Sequence, residues 1–425
     1  MTTTPQRRMT DLETLIWRSE RQPTQSSTVA LLEGAPEWKR LRAVHERATR
    51  LIPGMRERVL EPAVPVGPPA WIPDDDFDLD RHLRRARLPA PGSPAQLLAF
   101  AEEAATAPLD RDRPLWEGTL VEGLPHGRAA YVLKAHRSLS GRPGDLPRAE
   151  TIPPDARSLA LADVARQALT LPLATGRLLT TGAHALTHPG AAAASTLRLA
   201  VSLRRAASTP VAGSPLFHGR TGVSWRFGLL ECPLDDLRAA AHAAGGSVTD
   251  AYLAALLGGI RRYHERHGIE LDEMPVSLPR DPGGWVGSVF AAPVGVCDLA
   301  ERIASLRGIT MTLRVDSAQD GLAALAPVLN RFPSGVGAAA CRITAGADLS
   351  ATNRIGTPRP AYLAGARVER VYPLGPVPGS AVSAAIVSQG GTCCLGLTMD
   401  GSVVPDPDVL VECVRAGLEE VLTLG

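Results

Sequence analysis

One apolar strand of the sequence ends in Lys134-Ala135-His136-Arg137-Ser138-Leu139-Ser140-Gly141. The strand itself includes Tyr131-Val132-Leu133, and the Ser/Gly end of the stretch predicts a turn. A histidine between a buried strand and a turn is well placed to act as a general base, because its ordinary pKa lies near physiological pH. The stretch therefore predicts a candidate reaction site at the end of a sheet strand, where His136 is either the catalytic residue or a hydrogen-bonded structural histidine.

Blocks of sequence on both sides of this strand share one resemblance. They are Asp76-Phe77-Asp78-Leu79-Asp80, Pro108-Leu109-Asp110, Arg113-Pro114-Leu115-Trp116-Glu117 and Thr352-Asn353-Arg354-Ile355-Gly356-Thr357-Pro358, the last followed by Tyr362-Leu363-Ala364-Gly365-Ala366. In order and spacing they resemble the bacterial wax ester synthase/diacylglycerol acyltransferase (WS/DGAT) family. The resemblance covers both ends of the chain better than residues 140 to 215.

The resemblance implies an α/β fold of two chloramphenicol-acetyltransferase-like domains with an active-site tunnel between them, a fold similar to that of the condensation domains of peptide synthetases. It also implies that an acyl thioester, either acyl-CoA or a carrier-bound thioester, donates its acyl group to an alcohol. No bound cofactor and no metal site are expected. The family's strand ends in His-His-x-x-x-Asp-Gly with the second histidine as base, and this chain departs from that motif.

Two registers of the altered motif are open. Counted without gaps from Trp116, His136 takes the place of the first histidine, Arg137 that of the catalytic one, and Gly141 that of the aspartate. Shifted by one residue, His136 becomes the catalytic histidine and Ser140-Gly141 replaces Asp-Gly. The shift requires a bulge or a change of face, because successive strand side chains point to opposite sides. We favour the ungapped register, in which Arg137 stays protonated and cannot be a base.

Several side chains are candidates for substrate contact or for structural roles. Arg137 suits a bidentate contact with a carboxylate or phosphate, or a salt bridge. Ser140 could replace some of the hydrogen bonding of the motif's aspartate. Asn353 either orients substrate at the domain interface or holds a turn, and Trp116 forms core or tunnel wall.

The remaining candidates are structural. Asp110 and Arg113 are expected to hold the turn before the Trp116 strand, and Gly141 to allow the tight bend. Asp250 is interpreted as a helix-start residue in a capping box with Ser247. His264 and His267 are interpreted as solvated residues near the end of that helix.

The chain of 425 residues is long for one core and suits two domains. We predict an N-terminal acyltransferase-like domain over 1–157 carrying the altered motif, a helical connection over 158–215, and a C-terminal acyltransferase-like domain over 216–425. Residues 142–157 read as a loop, with helices near 159–171 and 191–206.

The bulk composition limits the partners. The formal net charge is +1, which gives no electrostatic reason to expect nucleic acid. No apolar run is long enough to span a bilayer, and the six cysteines suit buried free thiols. We expect a cytoplasmic protein with peripheral membrane contact left open. Its partners would be a small or lipid-like substrate and an acyl carrier protein acting in trans.

Two classes of function follow. The first is a divergent O-acyltransferase-family enzyme, including one whose reaction has become cyclisation, elimination or hydrolysis in specialised biosynthesis, or a condensation-type enzyme acting on a carrier protein. The second is a non-catalytic lipid-binding or scaffold protein that has kept the fold.

Overall fold

The computed structural model describes residues 7–19, 25–63, 67–140, 211–219, 224–279, 287–315, 330, 347–376 and 379–425. The strands in these ranges are β1 Arg7–Arg8, β2 Gln25–Leu32, β3 Glu57–Leu60, β4 Ala70–Pro73, β5 Leu83–Arg87, β6 Trp116–Glu122, β7 Ala129–His136, β8 Trp225–Pro233, β9 Glu273–Pro279, β10 Gly287–Pro293, β11 Leu349–Ile355, β12 Ala361–Leu363, β13 Ala366–Leu374, β14 Val382–Gln389 and β15 Thr392–Asp400. The helices are α1 Asp11–Ser19, α2 Trp38–Leu51, α3 Leu79–His82, α4 Pro94–Thr106, α5 Leu234–Ala243, α6 Val248–Arg266, α7 Leu299–Val315 and α8 Pro407–Leu422.

Local sequence signals define the starts of helices α4 and α6. The Ser93 hydroxyl accepts from the Gln96 backbone N–H at the start of α4, the Gln96 side chain accepts from the Ser93 N–H, and Pro94 takes the first helical position. Ser247 and Asp250 form the same reciprocal box at the start of α6. Each box satisfies backbone N–H groups that have no partner inside the helix.

The first sheet has the strand order β12-β13-β2-β7-β6-β5. Its side chains alternate between two cores. Ala130 and Val132 of β7 share a cluster with α4 and β8, while Ala129 and Tyr131 share one with Leu41 of α2. The sheet therefore lies between α2 on one face, and α4 with β8 on the other.

The second sheet has the order β10-β9-β11-β14-β15-β8 and carries the largest core cluster. Helices α6 and α8 pack closely because glycines lie at their crossing. A Cβ on Gly259 would lie 2.8 Å from the Val414 backbone nitrogen, and one on Gly417 would lie 2.8 Å from the Gly259 nitrogen. A third, small sheet of order β1-β4-β3 lies beside the first.

The two halves of the chain are joined by strand exchange. Strands β12 and β13 come from the C-terminal part of the sequence, yet β13 pairs antiparallel with β2 in the first sheet. The backbone N–H of Phe227 also donates to the Glu102 carboxylate of α4, at 2.8 Å. The boundaries 1–157, 158–215 and 216–425 remain a prediction. The expected loop at 142–157 and the helices near 159–171 and 191–206 lie outside the described residues.

Strand β4 ends at Pro73, and the Asp78 carboxylate accepts from the Asp80 N–H at the start of the short helix α3. One sequence expectation about the cysteines differs from the structure. Cys297 is exposed, whereas the thiols were expected to be buried; it lies in the turn before α7. Cys341 lies outside the described residues, and the other four cysteines are buried free thiols.

Candidate functional site

The strand that carries His136 is central in the first sheet. Along its length β7 pairs antiparallel with β2, in a register that runs without a shift from Leu32↔Ala129 to Gln25↔His136. On its other side β7 pairs with β6, again without a shift. The His136 backbone N–H donates to the Leu115 carbonyl at 2.9 Å. The structure therefore has no bulge in β7 before His136.

His136 lies on the face of the sheet that turns toward the second half of the chain. Strand alternation places it on the same side as Ala130 and Val132, which pack with Trp225 and Phe227 of β8. The His136 side chain is 5% exposed. Its ring meets that of Trp17 edge-on, with centroids 5.3 Å apart, so α1 lies against this end of the strand.

The hydrogen bonds of the imidazole define its neutral tautomer. Nδ1 of His136 lies 2.6 Å from the Ser138 hydroxyl and accepts from the Ser138 backbone N–H at 3.1 Å. A backbone N–H can only donate, so a proton on Nδ1 would face another proton. The neutral ring therefore carries its proton on Nε2. In this geometry Nε2 is a hydrogen-bond donor, whereas a general base needs a free lone pair.

The residues after His136 leave the strand. Arg137 is half-buried and begins a 3-10 turn that runs to Ser140. The side chain of Ser140 and all of Gly141 lie outside the described residues. The roles of these three residues thus remain predictions.

A buried ammonium group fixes the strand before His136. Nζ of Lys134 lies 3.0 Å from the Glu117 carboxylate and donates to the Ala107 carbonyl at 3.0 Å. The amide of Gln25 donates to the same carbonyl at 2.7 Å. A cation at the C-terminal end of α4 also interacts favourably with the helix dipole. These contacts tie the end of α4 to β7 and β2.

A cleft of about 420 Å³ lies in the first half of the chain. It is lined by Asp80, Arg81, His82, Arg84, Leu109, Asp110, Arg113, Pro114, Trp116 and Glu117. Three of the sequence blocks that carry the family resemblance thus meet at one place. Arg113 pairs with Asp110 at 3.3 Å in the turn before β6.

Trp116 is 1% exposed, and its indole N–H donates to the Met55 carbonyl at 2.9 Å. Its ring stacks with those of His45 and His82, at centroid distances of 6.1 and 5.0 Å. Burial lowers the pKa of both histidines below the ordinary value of 6.5. The neighbourhood of Trp116 is therefore a neutral aromatic stack, and a substrate-contacting role for this residue remains a prediction.

Asn353 and Asp250 lie together in the second sheet's half of the molecule. Asn353 is on β11, and its side-chain amide donates to the Thr249 hydroxyl at 3.0 Å. Asp250 is fully buried at the start of α6 and accepts from the Thr310 hydroxyl at 2.6 Å. Arg307 lies 3.5 Å from the same carboxylate. Asn353 is thus attached to the N-terminus of α6 rather than held in a turn.

The expectation that His264 is solvated was wrong. It is fully buried: Nδ1 bonds to the Ile260 carbonyl at 2.8 Å, and Nε2 lies 2.6 Å from the Ser214 hydroxyl. The Ser214 N–H donates to the Asp348 carboxylate, and burial lowers the pKa of His264. The segment before β8 is therefore anchored to the second half. The sequence gives little sign of it, since Ser214 is about 50 residues upstream.

The fold is that of α/β acyltransferases and condensation domains, which confirms the predicted fold class. The chain superposes on the wax ester synthase/diacylglycerol acyltransferase from Marinobacter aquaeolei VT8 with a TM-score of 0.63, at 22% identity over 98% of each chain. On the first condensation domain of the CDA synthetase the TM-score is 0.59, at 13% identity over 100% of this chain and 97% of the other.

Sequence comparison identifies the family. Residues 5–252 match the wax ester synthase/diacylglycerol acyltransferase catalytic domain, and residues 283–421 the WS/DGAT C-terminal domain. A Mycobacterium tuberculosis H37Rv protein, provisionally named as a diacylglycerol O-acyltransferase, is 33% identical, covering 97% of this chain and 91% of its own length. Another from that strain, similarly named, is 31% identical over 83% of each. The chain belongs to the WS/DGAT acyltransferase family, as its sequence blocks predicted.

Proposed function

We propose that this protein takes an acyl thioester, as acyl-CoA or bound to a carrier protein in trans, and transfers the acyl group to an alcohol between its two halves. Membership of an acyltransferase family carries the proposal. The face of β7 that holds His136 turns toward β8 of the second half, which is where the resemblance puts the tunnel. In the reaction the acceptor oxygen bonds to the thioester carbonyl carbon and the carbon–sulfur bond breaks. The hydroxyl proton is transferred to the departing sulfur, so the products are an ester and a free thiol.

In this proposal His136 acts as a hydrogen-bond donor and not as the base. The unshifted register of β7 favours the ungapped alignment, which puts Arg137 where the family has its catalytic histidine. In this role Nδ1 of His136 accepts from the Ser138 N–H, and the Nε2–H donates to the substrate carbonyl as negative charge develops there. Arg137 would bind a phosphate or carboxylate of the donor. Holding the two reactants in place then supplies much of the acceleration.

Three variants test these roles against a base mechanism. We expect His136→Ala to lower turnover at least about 100-fold, since removal of one such donor costs about 10²–10³ in rate. His136→Gln keeps an N–H donor near the Nε2 position and should retain clearly more activity than His136→Ala. Arg137→Ala should raise KM for acyl-CoA. The measurements are release of free CoA and detection of the ester by mass spectrometry, over a series of acyl chain lengths and alcohols.

The outcomes separate the possibilities. Equal inactivity of the Ala and Gln variants, with loss of wild-type activity at acid pH, would assign His136 as the base. Unchanged turnover in His136→Ala would remove it from the mechanism. Release of CoA without ester formation would favour hydrolysis, and an acceptor-independent new product would favour cyclisation or elimination.

A second candidate function is lipid binding without catalysis. The observation that favours it is that Nδ1 of His136 accepts a hydrogen bond from the Ser138 N–H. The neutral imidazole then has its proton on Nε2, so neither ring nitrogen is available to take a proton from the acceptor alcohol. If this protein binds lipid without catalysis, it should retain a stoichiometric lipid in native mass spectrometry after gentle purification. Steady multiple turnover on any thioester would contradict this candidate.

A further inference from the structure

Helix α2 has a charge balance unlike that of the whole chain. Its sequence WKRLRAVHERATRL holds five basic residues and one acidic residue, whereas the whole chain holds 45 basic and 44 acidic residues. One of the five, Arg42, pairs with Asp80. Within the described part of the chain the other four basic residues have no carboxylate partner; they are Lys39, Arg40, Arg47 and Arg50. All four are exposed, which leaves a concentrated positive charge on one helix face.

Aliphatic side chains project from the same helix into solvent. Leu51 is 70% exposed, Ile52 54% and Val44 40%. Val44 and Leu51 are two helical turns apart and so share one side of α2. Arg47 lies between them on that side, and Ile52 follows directly as the helix ends before Pro53.

The opposite side of α2 is firmly anchored. Leu41, His45 and Thr49 are buried, and the His45 Nε2 lies 2.6 Å from the Tyr131 hydroxyl of β7. The helix cannot turn its apolar residues inward without breaking these contacts. Its outer face is therefore a fixed surface, here called the α2 surface, made of Lys39, Arg40, Val44, Arg47, Arg50, Leu51 and Ile52.

We propose that the α2 surface docks the protein on an anionic lipid membrane. Cations attract the negative surface, and the exposed aliphatic side chains enter the boundary between head groups and acyl chains. Charge alone would suit a nucleic acid as well, but the three exposed aliphatic side chains, two of them at the helix end, gain nothing from phosphates. The inference does not depend on acyl transfer, because neither His136 nor Arg137 contributes to the surface.

Vesicle co-sedimentation tests the proposal with the full-length protein. The probes are phosphatidylcholine vesicles with and without phosphatidylglycerol, at low and at physiological salt. We expect binding that requires phosphatidylglycerol and weakens with salt. Each basic residue near such a surface contributes about fivefold in affinity, so Arg47→Glu/Arg50→Glu should weaken binding at least about 25-fold. Leu51→Ser/Ile52→Ser should weaken it roughly tenfold.

Matched variants elsewhere provide the controls. Arg359 and Arg415 are exposed without a carboxylate partner among the described residues, and Met311 is 53% exposed on α7. Arg359→Glu/Arg415→Glu and Met311→Ser should bind within about twofold of wild type, as surface changes away from a contact usually have small effects. Circular dichroism should show that all variants fold.

Several results would overturn the proposal. They are no binding to anionic vesicles, equal binding to neutral ones, or equal loss in the control and α2 variants. Displacement of the protein from vesicles by an RNA oligonucleotide that binds more tightly through the same arginines would assign the surface to nucleic acid instead. Acyltransferase activity on a water-soluble donor and acceptor should be unchanged in the α2 variants, so failure of this inference is distinguishable from failure of the proposed function.

Discussion

Replacing Lys134 by methionine tests how the strand that carries His136 is held. The Lys134 side chain is 4% exposed and contacts Glu117 and the Ala107 carbonyl, both at 3.0 Å. Methionine keeps an apolar, flexible stem and removes the ammonium group. Packing is therefore largely preserved while the ion pair and the hydrogen bond are both lost.

The expected loss of unfolding free energy in Lys134→Met depends on how far each partner of Lys134 is exposed to water. Removing one member of a fully buried ion pair costs about 3–5 kcal/mol. Glu117 is 26% exposed, so water can solvate it in the variant, and Gln25 still donates to the Ala107 carbonyl at 2.7 Å. We therefore expect the free energy of unfolding to fall by about 2 kcal/mol, within the range for a charged hydrogen bond. In Lys134→Met/Glu117→Gln no unpaired charge remains, and about 1 kcal/mol should be recovered.

The assay is urea unfolding followed by circular dichroism and tryptophan fluorescence, with refolding as the test of reversibility. Lys39→Met is the matched control, because Lys39 is the chain's other lysine and is exposed on α2. Its effect should stay within about 0.5 kcal/mol. If the double variant is no more stable than Lys134→Met, the ion pair does not hold the strand and the reasoning is refuted.

Three further predictions concern the rest of the molecule. Burial lowers the pKa of His45, His82 and His264 in the folded protein. Stability should therefore be fully present above pH 6.5 and be lost as pH falls toward the lowered values, by up to about 1.4 kcal/mol per pH unit for each histidine; His264→Gln should flatten the pH dependence of the urea midpoint. Gly417→Ala should destabilise by about 1–3 kcal/mol, because its Cβ would lie 2.8 Å from the Gly259 nitrogen. Gly308→Ala, with nothing within 4 Å, should instead stabilise by about 0.5–1 kcal/mol in the same unfolding assay.

Local signals in the sequence predict the elements around the site well. The Ser93 cap, the Ser247–Asp250 box and the Gly390–Gly391 turn each depend on residues a few positions apart, and the structure has all three. Such signals work because capping and tight turns are decided by neighbouring backbone groups. The family blocks predicted the fold in a different way, because each is a short and specific sequence that is typical of one family.

Long-range contacts could not be predicted in this way. No local pattern shows that β13 leaves its neighbours in sequence to pair with β2, because pairing register depends on which faces are buried in three dimensions. The burial of His264 depends on Ser214, and the contact of Trp17 with His136 joins residues far apart in the chain. An amphipathic pattern in α1 indicates that Trp17 is buried, but not against which partner.

The structure sharpens the question raised by the altered motif. A shift of one residue would need a bulge, and β7 pairs regularly on both sides up to His136. The strand ends at His136 and Arg137 begins a 3-10 turn, so the alternation of side chains along the strand does not determine the direction of the Arg137 side chain. Meanwhile the Ser138 N–H fills the Nδ1 lone pair of His136. Both observations favour the same hypothesis: the fold keeps the place for acyl transfer, while neither His136 in its neutral form nor Arg137 supplies the proton acceptor. Any turnover must then come from positioning, from a donor to the carbonyl, or from a substrate that brings its own base.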